Sequence, residues 1–179
     1  MDIFSHGLWA GALYKAINLK KEKPKLKVWL AALWSVAPDI FSFAPVFIWV
    51  FAGVIFGGMS FSDLPGPDSV EPMARNSLAI FRFTDTLYNI THSLTIFLIA
   101  AGLVGFFGKR IPWEAGGWLF HILIDIPTHS YKFYPTPFLW PFSEWKFDGF
   151  AWGNWWFMII NYSLLILVFL ALRSARKKG

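Results

Sequence analysis

The distribution of apolar and polar positions divides the chain into five apolar segments separated by polar or basic stretches. The apolar segments are residues 3–17, 28–56, 93–107, 113–126 and 152–172. Segment 28–56 exceeds the roughly 20 residues that a helix needs to cross a bilayer, and only the region around Pro38 interrupts it. We therefore predict a tilted or broken helix with its break at Pro38. The last segment starts with Trp residues and ends in basic residues, as a membrane span commonly does.

This pattern predicts an all-α, multi-pass transmembrane helical bundle with about five membrane segments in a single domain, 1–179. Two stretches, about 57–91 and 127–151, are predicted to be outer loops. Lys and Arg cluster in residues 20–27, 109–110 and 173–178. Because Lys and Arg favour the inner side of a membrane, five passes with the N-terminus outside and the C-terminus inside place all three clusters correctly. The short first segment is compatible with a re-entrant helix as well as a spanning one.

Composition narrows the class of protein further. Hydrophobic residues make up 56% of the chain and charged residues 15%, whereas soluble domains carry roughly 25% charged residues. The chain has no cysteine, which excludes disulfides, iron–sulfur clusters and Cys-based zinc sites. The net charge of +5 comes from clusters beside the apolar segments, so it indicates membrane orientation and not a nucleic-acid partner.

The candidate chemistry lies in four histidines and in two aspartates within apolar segments. In the predicted topology all of them fall in the outer half of the bilayer, and ionisable groups inside a membrane usually mark a site or pathway. His121 and Asp125 are four residues apart, so on a helix they share a face and can approach a common ion. His129 would continue that face, although Pro127 is expected to bend or end the helix. The candidates are His6, Asp39, His92, His121, Asp125 and His129.

Several candidates also have a purely structural explanation. His92 stands in a Thr-His-Ser sequence that suits a helix start, and His6 could be an interfacial polar residue. Asp125 could orient His121 instead of binding an ion. The His121/Asp125 pair is the hardest to explain structurally, because burying both without a partner would cost several kcal/mol. The carboxylates Asp2, Glu144 and Asp148 are expected to be solvated.

Short motifs follow one another along nearly the whole chain. They are Asp2-x-x-x-His6-x-x-x-x-Gly11, Ala37-Pro38-Asp39, Thr91-His92-Ser93, His121-x-x-x-Asp125-x-x-x-His129 and Trp140-Pro141-Phe142-Ser143, followed by Trp155-Trp156. This order resembles the YdjM-like, LexA-regulated family of bacterial and archaeal inner-membrane proteins, which are regarded as metal-dependent hydrolases. The resemblance implies an all-helical membrane hydrolase with metal-binding positions at His6, Asp39, His92, His121 and Asp125.

A looser similarity connects the chain with the helical zinc-dependent phospholipases C, which gather their ligands from several helices. Two features depart from these patterns. Met1 stands where the phospholipases have an N-terminal Trp, which argues against a shared three-metal site. The Arg that often precedes the Thr-His-Ser motif in the membrane family is absent, so Arg75 or Arg82 would have to replace it if that Arg contacts an anionic substrate group.

The expected function is a membrane-bound metal-dependent hydrolase acting on a lipid or lipid-linked (phospho)ester at the outer membrane face. One or two divalent ions, Zn first and Mn or Fe as alternatives, are expected as cofactor. The expected ligands are His6, His92, His121 and Asp125, with Asp39 as ligand or general base and His129 as ligand or proton donor.

The expected location is the inner membrane of a bacterial or archaeal cell, with membrane lipids and a lipid or small-molecule substrate as partners. A metal-ion or proton transporter or channel is the main alternative. It is disfavoured because the inner half of the bilayer lacks histidine and the chain has no visible repeat. A haem or quinone protein and a non-catalytic membrane scaffold are further alternatives.

Overall fold

Six α-helices and one short 3₁₀ helix form the described part of the chain. The structure, a computed structural model, describes residues 1–20, 22, 25–58, 60, 79–108, 112–132 and 134–178. The helices are α1 (Ile3–Lys20), α2 (Val28–Ile55), α3 (Ala79–Thr91), α4 (Leu94–Gly108), α5 (Gly116–Thr128) and α6 (Trp155–Lys178), with the 3₁₀ helix Trp113–Ala115 directly before α5. The predicted all-α class is confirmed.

Helix α2 is the centre of the bundle and packs against α1, α3 and α5. The predicted break at Pro38 is wrong, because α2 continues through both Pro38 and Pro45. Proline lacks the N–H of a helical hydrogen bond, but side chains from the same or neighbouring helices can satisfy nearby carbonyls. Ser42 Oγ donates to the carbonyl of Pro38 at 2.8 Å, and the ring of His121 lies 2.7 Å from the carbonyl of Ser35.

Helix α3 occupies a stretch that the sequence pattern assigned to an outer loop. Within the predicted loop 57–91, residue 59 and residues 61–78 lie outside the described residues, whereas 79–91 form α3. This helix packs against α2 and buries Thr84 and Tyr88, which are four residues apart. The segment is the least apolar of the six α-helices on average, but an amphipathic helix needs only one apolar face. Packing on α2 therefore supplies the stability that average hydropathy did not indicate.

Helices α3 and α4 are inclined by 60° to each other, with His92 and Ser93 between them. Ser93 caps α4, since its Oγ accepts a hydrogen bond from the backbone N–H of Ile96 at 3.1 Å. The ring of His92 takes no part in this cap. The chain changes direction at His92, and the ring is directed towards α2 and α5.

Two described helices, α2 and α6, are long and apolar enough to cross a membrane, and a third span results if the bent pair α3–α4 counts as one. The five membrane passes and the orientation of the protein in the membrane remain predictions. Some of the basic positions used for that orientation, namely residues 21, 23, 109 and 110 and the side chains of residues 177 and 178, lie outside the described residues.

Polar contacts connect α6 with the N-terminal part of α1. Asn161 Oδ1 accepts a hydrogen bond from Trp9 Nε1 at 2.8 Å, and its Nδ2 donates to Ser5 Oγ at 2.7 Å. Tyr162 Oη donates to Asp2 at 3.0 Å, and the Asp2 carboxylate also accepts from the backbone N–H of Ser5 at 3.0 Å. Such bonds hold membrane helices together. They fix the start of α1 against α6.

The C-terminal end of α5 is held by the non-helical segment that follows it. The carbonyls of Pro127, Thr128 and His129 accept backbone hydrogen bonds from Phe150, Trp152 and Gly149 at 2.8, 3.1 and 2.8 Å. These contacts satisfy carbonyls that a helix end leaves free. Pro127 thus lies within the last turn of α5, and the position of His129 is fixed directly after it.

Candidate metal centre

All six side chains predicted from the sequence come together in one buried cluster. They arrive from separate elements: His6 from α1, Asp39 from α2, His92 from the α3–α4 junction, His121 and Asp125 from α5, and His129 from the residue after α5. None of the six is more than 5% exposed. The shared depth inferred from the sequence therefore corresponds to spatial proximity.

Four of these residues form a compact group of possible metal ligands. Asp39, His92, His121 and Asp125 each offer one donor atom, and these atoms lie within 4.8 Å of one another. The Nε2 atoms of His92 and His121 are 2.9 Å apart. Asp125 Oδ2 lies 3.1 Å from His121 Nε2 and 3.5 Å from His92 Nε2. Asp39 Oδ1 lies 3.4 Å from His92 Nε2 and 3.8 Å from His121 Nε2.

Backbone carbonyls determine which nitrogen of each ring faces the group. His121 Nδ1 lies 2.7 Å from the carbonyl of Ser35, and His92 Nδ1 lies 3.1 Å from the carbonyl of Tyr88. A carbonyl only accepts, which favours a proton on Nδ1 of His121. His92 Nδ1 also lies 2.9 Å from the Thr91 hydroxyl. Both rings place Nε2 on the inner side. The two Nε2 atoms lie 2.9 Å apart, a contact that a shared proton or a cation bound beside both nitrogens would stabilise. This outer support of imidazoles is typical of metal-binding histidines.

The second oxygen of Asp125 faces a different set of nitrogens. Asp125 Oδ1 lies 2.9 Å from His6 Nε2 and 3.4 Å from His129 Nε2. The α-amino group of Met1 contacts the same oxygen and lies 2.8 Å from His129 Nε2. Asp125 thus joins two groups of residues, one at each oxygen.

The charges and free donors of the four-residue group fit a divalent cation. Among the described residues, Asp39 Oδ2 and Asp125 Oδ2 have no hydrogen-bond partner although both are buried. Two carboxylates and two imidazole nitrogens are ligands that suit Zn, Mn or Fe. Ligands about 2.0–2.2 Å from a tetrahedral zinc ion lie roughly 3.3–3.6 Å apart, close to the carboxylate–imidazole distances of 3.1–3.8 Å found here. The two Nε2 atoms, 2.9 Å apart, would have to separate by about 0.4–0.7 Å to reach that spacing.

His129 is held on the far side of Asp125 by contacts that the sequence pattern did not indicate. Its Nδ1 lies 2.7 Å from the carbonyl of Tyr134 and 3.1 Å from Tyr88 Oη. Burial lowers the pKa of His129 to about 3, against the opposing effect of the nearby Asp125 carboxylate. Its ring is therefore neutral at ordinary pH. Tyr134 has a positive φ of 39°, a conformation that costs energy in a non-glycine residue and that accompanies the inward direction of its carbonyl.

Tyr88 is a site residue that sequence reasoning missed, as are the carbonyls of Ser35 and Tyr134. The Tyr88 ring stacks on the ring of His92 with centroids 3.8 Å apart. A local signal existed, because Tyr88 precedes His92 and Ser35 precedes Asp39 by four residues, the spacing of neighbours on one helix face. The α-amino group of Met1 carries no comparable signal in a sequence.

The carboxylates expected to be solvated have different surroundings. Asp2 caps α1 and is only partly exposed, whereas Asp148 is exposed and accepts a hydrogen bond from the backbone N–H of Tyr131 at 2.8 Å. Glu144 is exposed. None of these three side chains lies among the donors of the metal-ligand group.

Comparison with known protein families matches residues 1–178 to the family described as YdjM inner membrane protein. The match covers all six helices and every residue of the cluster. No curated protein and no solved structure shows significant similarity to the chain. The family description and the apolar helices together identify an inner membrane protein.

Proposed function

We propose that this chain, which belongs to the YdjM inner membrane protein family, is a membrane-bound metal-dependent hydrolase. One observation carries the proposal: the Nε2 atoms of His92 and His121 face each other across 2.9 Å, beside two buried carboxylates. Burying such groups together without a cation would be costly. A divalent ion bound by Asp39, His92, His121 and Asp125, with Zn as first choice, would satisfy all four.

Such an ion supplies Lewis-acid activation of water and of a phosphoryl or acyl oxygen. The residues of the chain have separate tasks around it. Asp39 uses Oδ1 towards the two imidazoles, while its Oδ2 has no hydrogen-bond partner among the described residues and lies 4.0 Å from His6 Nε2. This free oxygen suits Asp39 to accept a proton from water as a general base.

For His6 and His129 the geometry supports a positioning role. His6 Nε2 lies 2.9 Å from Asp125 Oδ1, the oxygen turned away from His121. His129 Nε2 lies 3.4 Å from the same oxygen and 2.8 Å from the α-amino group of Met1, which contacts Asp125. His129 stays neutral and its Nδ1 is engaged by a carbonyl. It is therefore poorly suited to the proton-donor role considered from the sequence.

The proposed substrate is a lipid or lipid-linked (phospho)ester at the outer membrane face. This assignment uses the five-pass topology, with the N-terminus outside and the C-terminus inside, which we retain as part of the proposal. Because the chain has no cysteine, single cysteines report topology directly. Gly153→Cys should react with an impermeant maleimide added to spheroplasts, and Ser174→Cys only after permeabilisation. The reverse pattern would contradict the orientation.

The metal proposal is tested by elemental mass spectrometry of detergent-purified protein supplemented with zinc and freed of excess ion. Wild type and the surface control Glu144→Gln should retain close to one ion per chain, whereas His121→Ala and Asp125→Ala should lose it while remaining helical. Equal metal content in all four proteins, or none in wild type, would refute the site. With the site established, hydrolysis of lipid phosphodiesters and esters tests the enzyme proposal. Ion flux in proteoliposomes without hydrolysis would favour the transporter alternative.

A further inference from the structure

An apolar groove lies between α1, α5 and α6, next to the metal-ligand group. Its volume is about 310 Å³, at the lower end of the range for small-molecule pockets. On α6 it is lined by Phe157, Ile160 and Leu164, which recur on one helix face over about 10 Å of axis. Phe120 and Ile124 of α5 form the opposite wall.

The groove and the metal-ligand group share helix α5. Phe120 and Ile124 line the groove, and the residue after each of them, His121 and Asp125, belongs to the ligand group. Successive residues of a helix point about 100° apart, so the two sites lie on adjacent faces of one helix. Met1 also belongs to both places, since it lines the groove and its α-amino group contacts Asp125.

The surroundings of the groove favour an apolar occupant taken from the membrane. Ile160 and Leu164 are 52% and 47% exposed on α6, a helix long and apolar enough to span the bilayer. In a membrane these side chains meet hydrocarbon and not water. Asn161 is the polar side chain in the groove wall, and both ends of its amide are engaged by Trp9 and Ser5. The lining thus offers apolar contact and no free amide to a polar ligand.

We propose that this groove binds one acyl chain of a membrane phospholipid. The acyl chain lies along α6, and the glycerophosphate end of the same lipid reaches the metal-ligand group. The second half of this statement rests on the proposed function, since it identifies the hydrolase substrate as a phospholipid drawn sideways from the bilayer. The first half, binding of the acyl chain, is independent of any metal. A second copy of the protein docked on α6 is the alternative occupant that an experiment must separate.

The test uses full-length protein in phosphatidylethanolamine vesicles that contain a phosphatidylglycerol with a diazirine in one acyl chain. After irradiation, adducts are located by peptide mass spectrometry. We expect adducts on Phe120 and Ile124 in wild type. We expect their loss in Ile160→Trp, because the indole ring fills the groove. The matched control is Ile159→Trp, which changes the neighbouring residue, 58% exposed and outside the groove lining. This control should keep the wild-type adducts.

Three results would overturn the proposal. Adducts spread evenly over the outward faces of α2, α4 and α6 would indicate ordinary surrounding lipid. Unchanged adducts in both Ile160→Trp and a second groove-filling variant, Leu164→Trp, would show that the groove is not the binding place. Protein–protein adducts at this face that increase with protein density would identify a second copy as the occupant. Circular dichroism establishes that each variant is folded before it is used.

Repeating the photo-crosslinking after a chelator has removed metal from the protein separates this inference from the proposed function. If the protein binds no metal under any condition but still forms groove adducts, the lipid site is supported and the hydrolase proposal is refuted. If the protein binds one zinc ion per chain but forms no groove adducts, the metal site is supported and the lipid-binding proposal is refuted.

Discussion

One substitution at the contact between α2 and α5 tests whether the hydrogen bond between the Ser35 carbonyl and the His121 ring determines metal affinity. Gly117 lies in the first turn of α5, four residues before His121. A Cβ added to Gly117 would lie 2.1 Å from the carbonyl oxygen of Ala31 and 3.2 Å from the backbone nitrogen of Ser35. Both neighbours are helix backbone and cannot rotate away. Gly117→Ala must therefore separate α5 from α2.

The required displacement can be worked out from these distances. Increasing the contact between the added Cβ and the Ala31 oxygen from 2.1 to a minimal 3.0 Å needs 0.9 Å. If α5 moves as a rigid body by that amount, the 2.7 Å distance between His121 Nδ1 and the Ser35 carbonyl increases to at most 3.6 Å, a length at which a hydrogen bond is lost. Loss of such outer support typically lowers metal affinity about 10–100-fold, equivalent to roughly 1.4–2.8 kcal/mol.

Zinc affinity measured by competition with a chromophoric chelator on detergent-purified protein provides the assay. Gly102→Ala is the matched control, because this glycine also lies within a helix but has no atom within 4 Å of an added Cβ. The control should keep wild-type affinity, and alanine is the better helix former by about 1 kcal/mol. Wild-type zinc affinity in folded Gly117→Ala would refute this reasoning. It would show that separating α5 from α2 does not weaken metal binding through the Ser35–His121 contact.

Three further substitutions address contacts around the site, each followed by thermal unfolding in detergent. Tyr88→Phe removes the hydroxyl beside His129 and should cost about 0.5–1.5 kcal/mol without loss of metal; loss of metal would show that the hydroxyl supports the ion. Asn161→Ala removes the acceptor of the half-buried Trp9 Nε1, while Ser5 Oγ keeps its hydrogen bond to Asp2, and should cost about 1–3 kcal/mol; Ser163→Ala, at an exposed position of α6, should have little effect, and equal effects would contradict the role of the amide. Asp2→Ala removes the cap of α1 and should cost about 0.5–2 kcal/mol, most of which Asp2→Asn should restore; an Asn variant as unstable as the Ala variant would argue that the charge matters more than the cap.

Features governed by local helix geometry could be predicted from the sequence. The spacing of His121 and Asp125 fixes their common face once a helix is assumed, and α5 supplies that helix. The common depth of the other candidates also indicated that they would meet. The sequence pattern does not reveal that Asp125 directs one oxygen at His121 and the other at His6. That division depends on how α1 and α5 pack in three dimensions.

The two errors in the predicted elements have a common cause, which is tertiary packing overriding local preference. Pro38 disfavours a helix, but α2 is packed against α1, α3 and α5 and continues through it. The ring of His121 on α5 lies 2.7 Å from the carbonyl of Ser35, three residues before Pro38. Residues 79–91 are too polar for a predicted membrane segment, but α3 needs only a face to place against α2. Local propensity is a weak guide where a neighbouring element compensates for it.

The three carbonyls that support the histidine rings, those of Ser35, Tyr88 and Tyr134, determine how this site tolerates evolutionary change. Every amino acid has a backbone carbonyl, so replacement of the side chain at position 35 leaves the hydrogen bond to the ring available. Insertion or deletion of one residue before His92 would instead turn the ring by about 100° relative to the preceding part of α3. Relatives of this protein should accordingly vary in residue identity at position 35, whereas the number of residues between each supporting carbonyl and its histidine stays constant.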